Sequence, residues 1–251
     1  MPCFMLPQSL YVLFPIKQNV EGMRKIVNKP DLKMFVFYGL VLIPTFFLCY
    51  EKRNLSFFFV ITAMLLTSVM EVPIYKLRTK KPEYSELEAR RIGDFYGVQI
   101  VEEMQEDRER TYKTRVTLNM GGFIIPLFFS FYLLLNYTAL ILEIAMSILL
   151  MAAFSFLLSE VRAGVGIVIP TYAGIFAIPL GLILAPESGN TEIAGLIFVL
   201  AILGILLGIL ITLATLPKEE VGSAFFNIGG IGSFQSIFLI SILALLIGTA
   251  A

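Results

Sequence analysis

Charge in this chain is confined to a few places. Between them run apolar stretches of about 20 residues, the length at which a helix matches the ~30 Å hydrocarbon layer of a bilayer. The 19 Lys and Arg residues fall at or beyond the ends of these stretches, and ten of them crowd into Lys76 to Arg115. That pattern specifies a polytopic membrane protein. Composition agrees: 57% of the 251 residues are hydrophobic, against roughly 45–50% in soluble domains.

Seven spans can be drawn, at approximately 33–50, 55–75, 116–135, 138–158, 163–185, 193–216 and 227–249. The expected fold is an all-α integral membrane bundle of about seven helices with a small cytoplasmic β-hairpin-like insertion. Its parts are an N-terminal interfacial or cytoplasmic segment (1–32), a first helix pair (33–75), a basic cytoplasmic loop (76–115) and a five-helix body (116–251). Short connections in the body force antiparallel neighbours. Residues 1–16 are apolar but carry Pro2, Pro7 and Pro15 with no basic residue ahead of them, so they read as interfacial or re-entrant rather than as a signal peptide.

Counting Lys and Arg by side sets the orientation. The N-terminal segment, the 76–115 loop and the turns after the fourth and sixth spans together hold 17, and the opposite side has only Lys52 and Arg53. Positive residues favour the cytoplasm, which places the N-terminus inside and the C-terminus outside a cell membrane. Within the loop, Lys76 to Arg91 reads as solvated and partly helical. From Phe95 to Leu118 the alternation of Val98 and Ile100, then Tyr112, Thr114, Val116 and Leu118, reads as a hairpin on the membrane surface.

Several chemistries are excluded or poorly supplied. The chain has no His, which removes Ser-His and Cys-His pairs, His-based zinc proteases and His-ligated haem. Asp31, Asp94 and Asp107 all lie in polar segments, and Cys3 and Cys49 have no metal-ligand spacing. An enzyme is therefore the least expected reading, with Glu71, Glu143, Glu160 and hydroxyl residues left for its chemistry, and the chain is expected to hold no cofactor or metal and, at zero net charge, to bind no nucleic acid. Its expected partners are the bilayer, anionic lipid at the 76–115 loop, and a second copy of itself.

Three spans open alike. The third begins Asn119-Met120-Gly121-Gly122 and reaches Pro126. The fifth begins Gly164-Val165-Gly166 and reaches Pro170. The seventh begins Asn227-Ile228-Gly229-Gly230-Ile231-Gly232 and reaches Gln235. The first two share Gly-apolar-apolar-Ile-Pro at a separation of 44 residues. Glycines at a helix start allow close backbone approach, and they expose N–H groups at the positive end of the helix. Close packing with proline kinks is the plain reading. A cytoplasm-facing vestibule for a small anionic solute is the functional one. Asn119, Asn227 and Gln235 favour the latter, because an amide in hydrocarbon needs a partner across helices or a wet cavity.

Two acids are singled out. Glu143 lies about six residues inside the fourth span, where it is either buried and protonated or reaching outward. Glu71, at the end of the second span ahead of Pro73, is expected to pair with Lys76 or Arg78. Gly204-xxx-Gly208 in the sixth span is a helix-packing motif.

Four segments taken in order resemble a family of uncharacterised prokaryotic membrane proteins known only as a domain of unknown function. They are Val72-Pro73-Ile74-Tyr75, Leu118 to Gly122 with Ile125-Pro126, Gly164 to Pro170, and Ile228 to Phe234 with Ile237-Phe238-Leu239. The family pattern has Asn-Ile-Pro, Gly-Ala-Asp and Phe-Asp-Gly where this chain has Glu71-Val72-Pro73, Gly208-Ile209-Leu210 and Phe234-Gln235-Ser236. Two acidic positions are thus neutral here. The resemblance implies a multi-helix membrane protein and no established activity. Two functions remain open: handling of a small solute, or non-catalytic assembly through the 76–115 loop.

Overall fold

A computed structural model describes residues 32–51, 55–78, 85–96, 113–162, 165–185, 190–216 and 225–250. Residues 1–16, Lys52 and Arg53, Val98 and Ile100, Tyr112, Gly164 and Lys218 lie outside the described residues.

Helices dominate, in chain order α1 (Leu32–Glu51), α2 (Leu55–Thr67), α3 (Glu86–Tyr96), α4 (Ile125–Leu134), α5 (Ile141–Leu158), α6 (Ala177–Leu184), α7 (Asn190–Thr215) and α8 (Phe234–Ala250). A π-turn, Met120–Ile124, precedes α4, and a 3-10 segment, Leu135–Leu140, joins α4 to α5. Three stretches are long and apolar enough to cross a membrane: Lys33–Glu51, Met120–Leu158 and Glu192–Thr215. They mark a membrane protein. The apolar helices Leu55–Thr67, Ala173–Leu184 and Phe234–Thr249 are shorter.

The all-α expectation is corrected. Five strands, β1 (Glu71–Arg78), β2 (Lys113–Asn119), β3 (Glu160–Arg162), β4 (Gly166–Val168) and β5 (Phe225–Ile228), form one sheet in the order β1-β2-β5-β4-β3. They take over the end of the drawn second span and the beginnings of the third, fifth and seventh. An apolar run of four to eight residues fits a buried strand as well as a helix. The hairpin reading is corrected too. Residues 113–119 do form a strand, but its antiparallel partner is β1, and Phe95 closes helix α3.

Strand directions explain the whole arrangement. β2, β5 and β4 run parallel, while β1 and β3 pair antiparallel at the two edges. Helices α2, α4, α5, α6 and α8 therefore each have one end at the same margin of the sheet. Helices α4, α6 and α8 leave it from β2, β4 and β5, and α2 and α5 arrive at it before β1 and β3. A straight helix of 39 residues would hold its ends about 58 Å apart. Strands β2 and β3, which sit at those two ends, are three strand spacings apart, roughly 14 Å. The Met120–Leu158 stretch therefore reverses. The reversal is the 3-10 segment, where Tyr137 leaves helical geometry at φ −116° and ψ 31°.

The core is centred on α7. Leu196 through Ile202 are all fully buried. A Cβ at Gly204 would strike the Met151 side chain and one at Gly208 the Ser155 side chain, so the glycine pair brings α7 against α5 as its spacing implied. Phe57, Phe129 and Phe198 meet edge to face, with centroids 5.0 to 5.6 Å apart, and tie α2 and α4 to α7. Helix α1 is the opposite case: Phe37, Leu40, Ile43, Phe47 and Tyr50 are exposed, as an apolar surface facing lipid would be.

Helix α3 lies within the loop and carries its own start signal. Ser85 Oγ donates to Glu88 Oε2 at 2.8 Å, and the Glu88 N–H donates back to Ser85 Oγ at 3.3 Å. This is a capping box, and the Ser85 hydroxyl and N–H hold the Glu88 carboxyl below its ordinary range.

Candidate functional site

The three glycine-rich starts meet. Gly121-Gly122 follows the carboxyl end of β2 and Gly229-Gly230 that of β5, while Gly166 opens β4 opposite Asn227, and β2, β5 and β4 are neighbours, so the three segments fall side by side. In parallel sheets this margin is where ligands usually sit, beside the N-termini of the helices that follow.

The glycines, however, are occupied by backbone. A Cβ at Gly121 would run into the Met64 carbonyl, one at Gly122 into the Gly229 carbonyl, and one at Gly166 into the Asn227 carbonyl. A Cβ at Gly232 would lie 2.6 Å from the Ile167 carbonyl oxygen, and one at Gly229 2.7 Å from Phe123 Cβ. Gly166 and Gly229 also hold φ of 114° and 78°, the left-handed region that favours glycine. Their described contacts are those of close packing, the plainer of the two readings of their sequence.

The amides divide. Asn119 is saturated: Oδ1 accepts from the Gly122 N–H at 2.8 Å, and Nδ2 donates to the Ser68 carbonyl at 2.5 Å. It caps the π-turn and fastens β2 to the end of α2. Pro126 follows in the first turn of α4, where a missing N–H costs little, and Pro170 precedes the Ala173–Phe176 turn, so neither breaks a helix interior. Gln235 Nε2 reaches Met34 Sδ at 3.2 Å, a contact between α8 and α1.

Asn227 differs. It is 5% exposed and lies opposite Thr117 in the β2–β5 register, while Glu71 lies opposite Asn119 two residues along β2. Side chains two apart on a strand, and those directly opposite, share a face. Glu71, Thr117 and Asn227 therefore converge. Glu71 Oε2 accepts from the Thr117 hydroxyl at 2.9 Å, and Glu71 Oε1 accepts a short hydrogen bond from Asn227 Nδ2. Asn227 Oδ1 is buried and has no partner, and Gly230 is the residue against which the amide lies. The described partners of Glu71 are a hydroxyl and an amide, and the expected pairing with Lys76 or Arg78 lies outside the description, which does not cover those side chains. Strain in the sequence pattern is resolved here as well. The two glycine–proline motifs put Gly122 and Gly166 in equivalent places, but the residues flanking Asn227 on β2 and β4 are Thr117 and Gly166.

Glu143 is exposed in the first turn of α5, since that helix begins at Ile141 rather than further out. A carboxylate is favourable at that end of the dipole. The sequence pattern assigned no site role to Thr117, Ser233 or Ser236. The hydroxyl oxygens of both serines are buried and unpartnered at the start of α8. Among the described residues no group of three His, Cys, Asp or Glu side chains could hold a metal ion.

A family model described as "Protein of unknown function (DUF1614)" matches residues 65–247, from the last turn of α2 through the sheet and into α8. No curated protein and no solved structure matches the chain.

Proposed function

The chain belongs to the DUF1614 family, described as of unknown function, and from its own geometry we propose that it is a multi-pass membrane protein that handles a small solute where the sheet meets the helices. One observation carries this reading. In a junction where Asn119 is saturated and the glycines are filled by backbone, Asn227 Oδ1 is buried without a partner beside the Glu71 carboxylate. A buried amide oxygen left unpaired costs about 1–3 kcal/mol, and a solute that supplies the missing bond recovers that cost. The sheet carries the loop and the Arg162 turn that the charge count puts on one side, which supports a cytoplasmic sheet, alternating helices and a C-terminus outside. A second copy of the chain is proposed to complete the pathway.

The test is unfolding of detergent-purified protein against small anions, cations and neutral polar solutes. A solute that stabilises the native chain and not Asn227→Leu supports the site. If every stabilising solute acts equally on both proteins, the site is not there.

A second reading has its own observation. Helix α3 exposes Leu87 at 60% and Phe95 at 80% on a segment that also carries Arg90 and Arg91. That face suits anionic lipid or a protein partner, so the assembly role belongs to the loop. Purification of the native chain and of Leu87→Ser/Phe95→Ser with anionic vesicles separates the two: equal sedimentation of both removes the lipid contact.

A further inference from the structure

We propose that the N-terminus of α8 binds a small monovalent anion, of halide or formate size, through the hydroxyls of Ser233 and Ser236. This rests on the solute-handling reading and names the ligand chemistry for one part of the junction.

The start of α8 is built by a glycine turn at the end of β5. The N–H groups of Ser233 and Phe234 both donate to the Gly230 carbonyl, at 2.9 and 2.7 Å, and the Ile237 N–H closes the first helical turn onto the Ser233 carbonyl at 3.2 Å. Ser233 is thus the capping residue and Ser236 the third residue of the helix. These positions lie on one face, and they are the pair that normally bonds reciprocally with the first-turn N–H groups. Here they do not. Both side chains are 0% exposed, and both hydroxyl oxygens lack any partner. Between them sit the N–H groups of Gln235 and Ser236, for which the described residues supply no acceptor.

Two hydroxyls and two backbone N–H groups make four hydrogen-bond donors at the positive end of a 17-residue helix. None of the four has a described acceptor, and an anion is a ligand that accepts from several donors at once. Size follows from packing. Gly232 lies against the Ile167 carbonyl and Val168, and Gly230 against the Asn227 side-chain amide, so the surroundings are closely packed and leave little room for a large ligand. The described carboxylate of the junction, Glu71, is engaged by Thr117 and Asn227 rather than turned on the helix.

The experiment is a bromide titration of the purified full chain at constant ionic strength, with gluconate as the replaced anion and unfolding temperature as the readout. The native chain should show a saturable rise of about 3 °C or more. Ser233→Ala/Ser236→Ala should lose the bromide response while unfolding in gluconate no lower than the native chain, because the hydroxyls removed had no partners to lose. Ser236→Ala alone serves if the double variant does not purify, and should weaken the response at least about tenfold. An equal bromide response in native and variant protein overturns the proposal, and so does none in the native chain. The wider reading fails separately. If bromide does nothing but a neutral or cationic solute still requires Asn227, only the anion site is lost.

Discussion

The two flanks of β5 follow one plan and hold different chemistry. On each side an antiparallel pair of strands is inserted between an arriving helix and a departing one: α2-β1, β2-α4 on one side and α5-β3, β4-α6 on the other. Because β2 and β4 both run parallel to β5, with β1 and β3 antiparallel at the edges, the two arms share one topology. The β2 arm meets β5 along four residue pairs and brings Thr117, Asn119 and Glu71 to the junction. The β4 arm meets it at Gly166↔Asn227. Asn227 is therefore addressed by polar side chains from one flank and by bare backbone from the other. One flank should respond to substitution in graded steps, and the other should tolerate almost nothing.

The largest effects are expected where backbone closes on backbone, at Gly166 on the β4 flank and at Gly122 just after β2. Gly166→Val needs a β-branched residue at φ 114° with its Cβ inside the Asn227 carbonyl, and Gly122→Val meets the Gly229 carbonyl. Each should cost about 3 kcal/mol or more and leave little monodisperse protein in detergent. Near-native yield from either would show that the strands are further apart than the sheet requires.

Asn119→Ala comes next. It removes the cap of the π-turn and strands both the Gly122 N–H and the Ser68 carbonyl, so about 2 kcal/mol of stability should go, visible as a lower unfolding temperature. Glu71 should show the graded response most clearly. Glu71→Ala leaves the Asn227 amide without its described acceptor and should cost about 1–2 kcal/mol, whereas Glu71→Gln keeps a carbonyl oxygen in place and should recover more than half of it. Identical losses for the two variants would mean that the bond to Asn227 is unimportant.

The smallest effect lies outside the junction, in α3. The Glu88 carboxyl is held below its ordinary value of 4.5 in the folded chain, so the stability it adds is present above that pH and is lost as pH falls through the lower, folded value. Helicity of α3, followed by amide exchange, should therefore decline only in acid. Glu88→Gln should make it insensitive in that range.

Much of this could be read from residues alone, and the exceptions share a cause. The charge gaps located the apolar elements, the glycine pair on α7 announced its contact with α5, and the convergence of the three glycine-rich starts followed from putting them on one side. Strands were hidden because they are short: β3 and β4 have three residues each, and β5 has four. β1 continues the apolar run of α2 through Val72, Ile74 and Tyr75. Pro73 was the available signal, since β1 is an edge strand with a register shift between Pro73 and Tyr75, which is where a sheet admits proline. The long-range partner of β2, across the 76–115 loop, had no local signature. Nor did the serines at α8, whose significance lies in missing partners rather than in spacing.

The account depends most on one margin of one sheet gathering the helix ends on a single side of the membrane. Single cysteines at Leu87 in α3 and Glu160 on β3, and at Thr138 and Glu192 at the far ends of the helices, would be introduced after Cys3 and Cys49 are replaced by serine. All four positions are exposed. A membrane-impermeant maleimide applied to intact cells should label Thr138→Cys and Glu192→Cys, and should label Leu87→Cys and Glu160→Cys only after the membrane is opened. Labelling of Leu87→Cys together with Thr138→Cys in intact cells would contradict the arrangement.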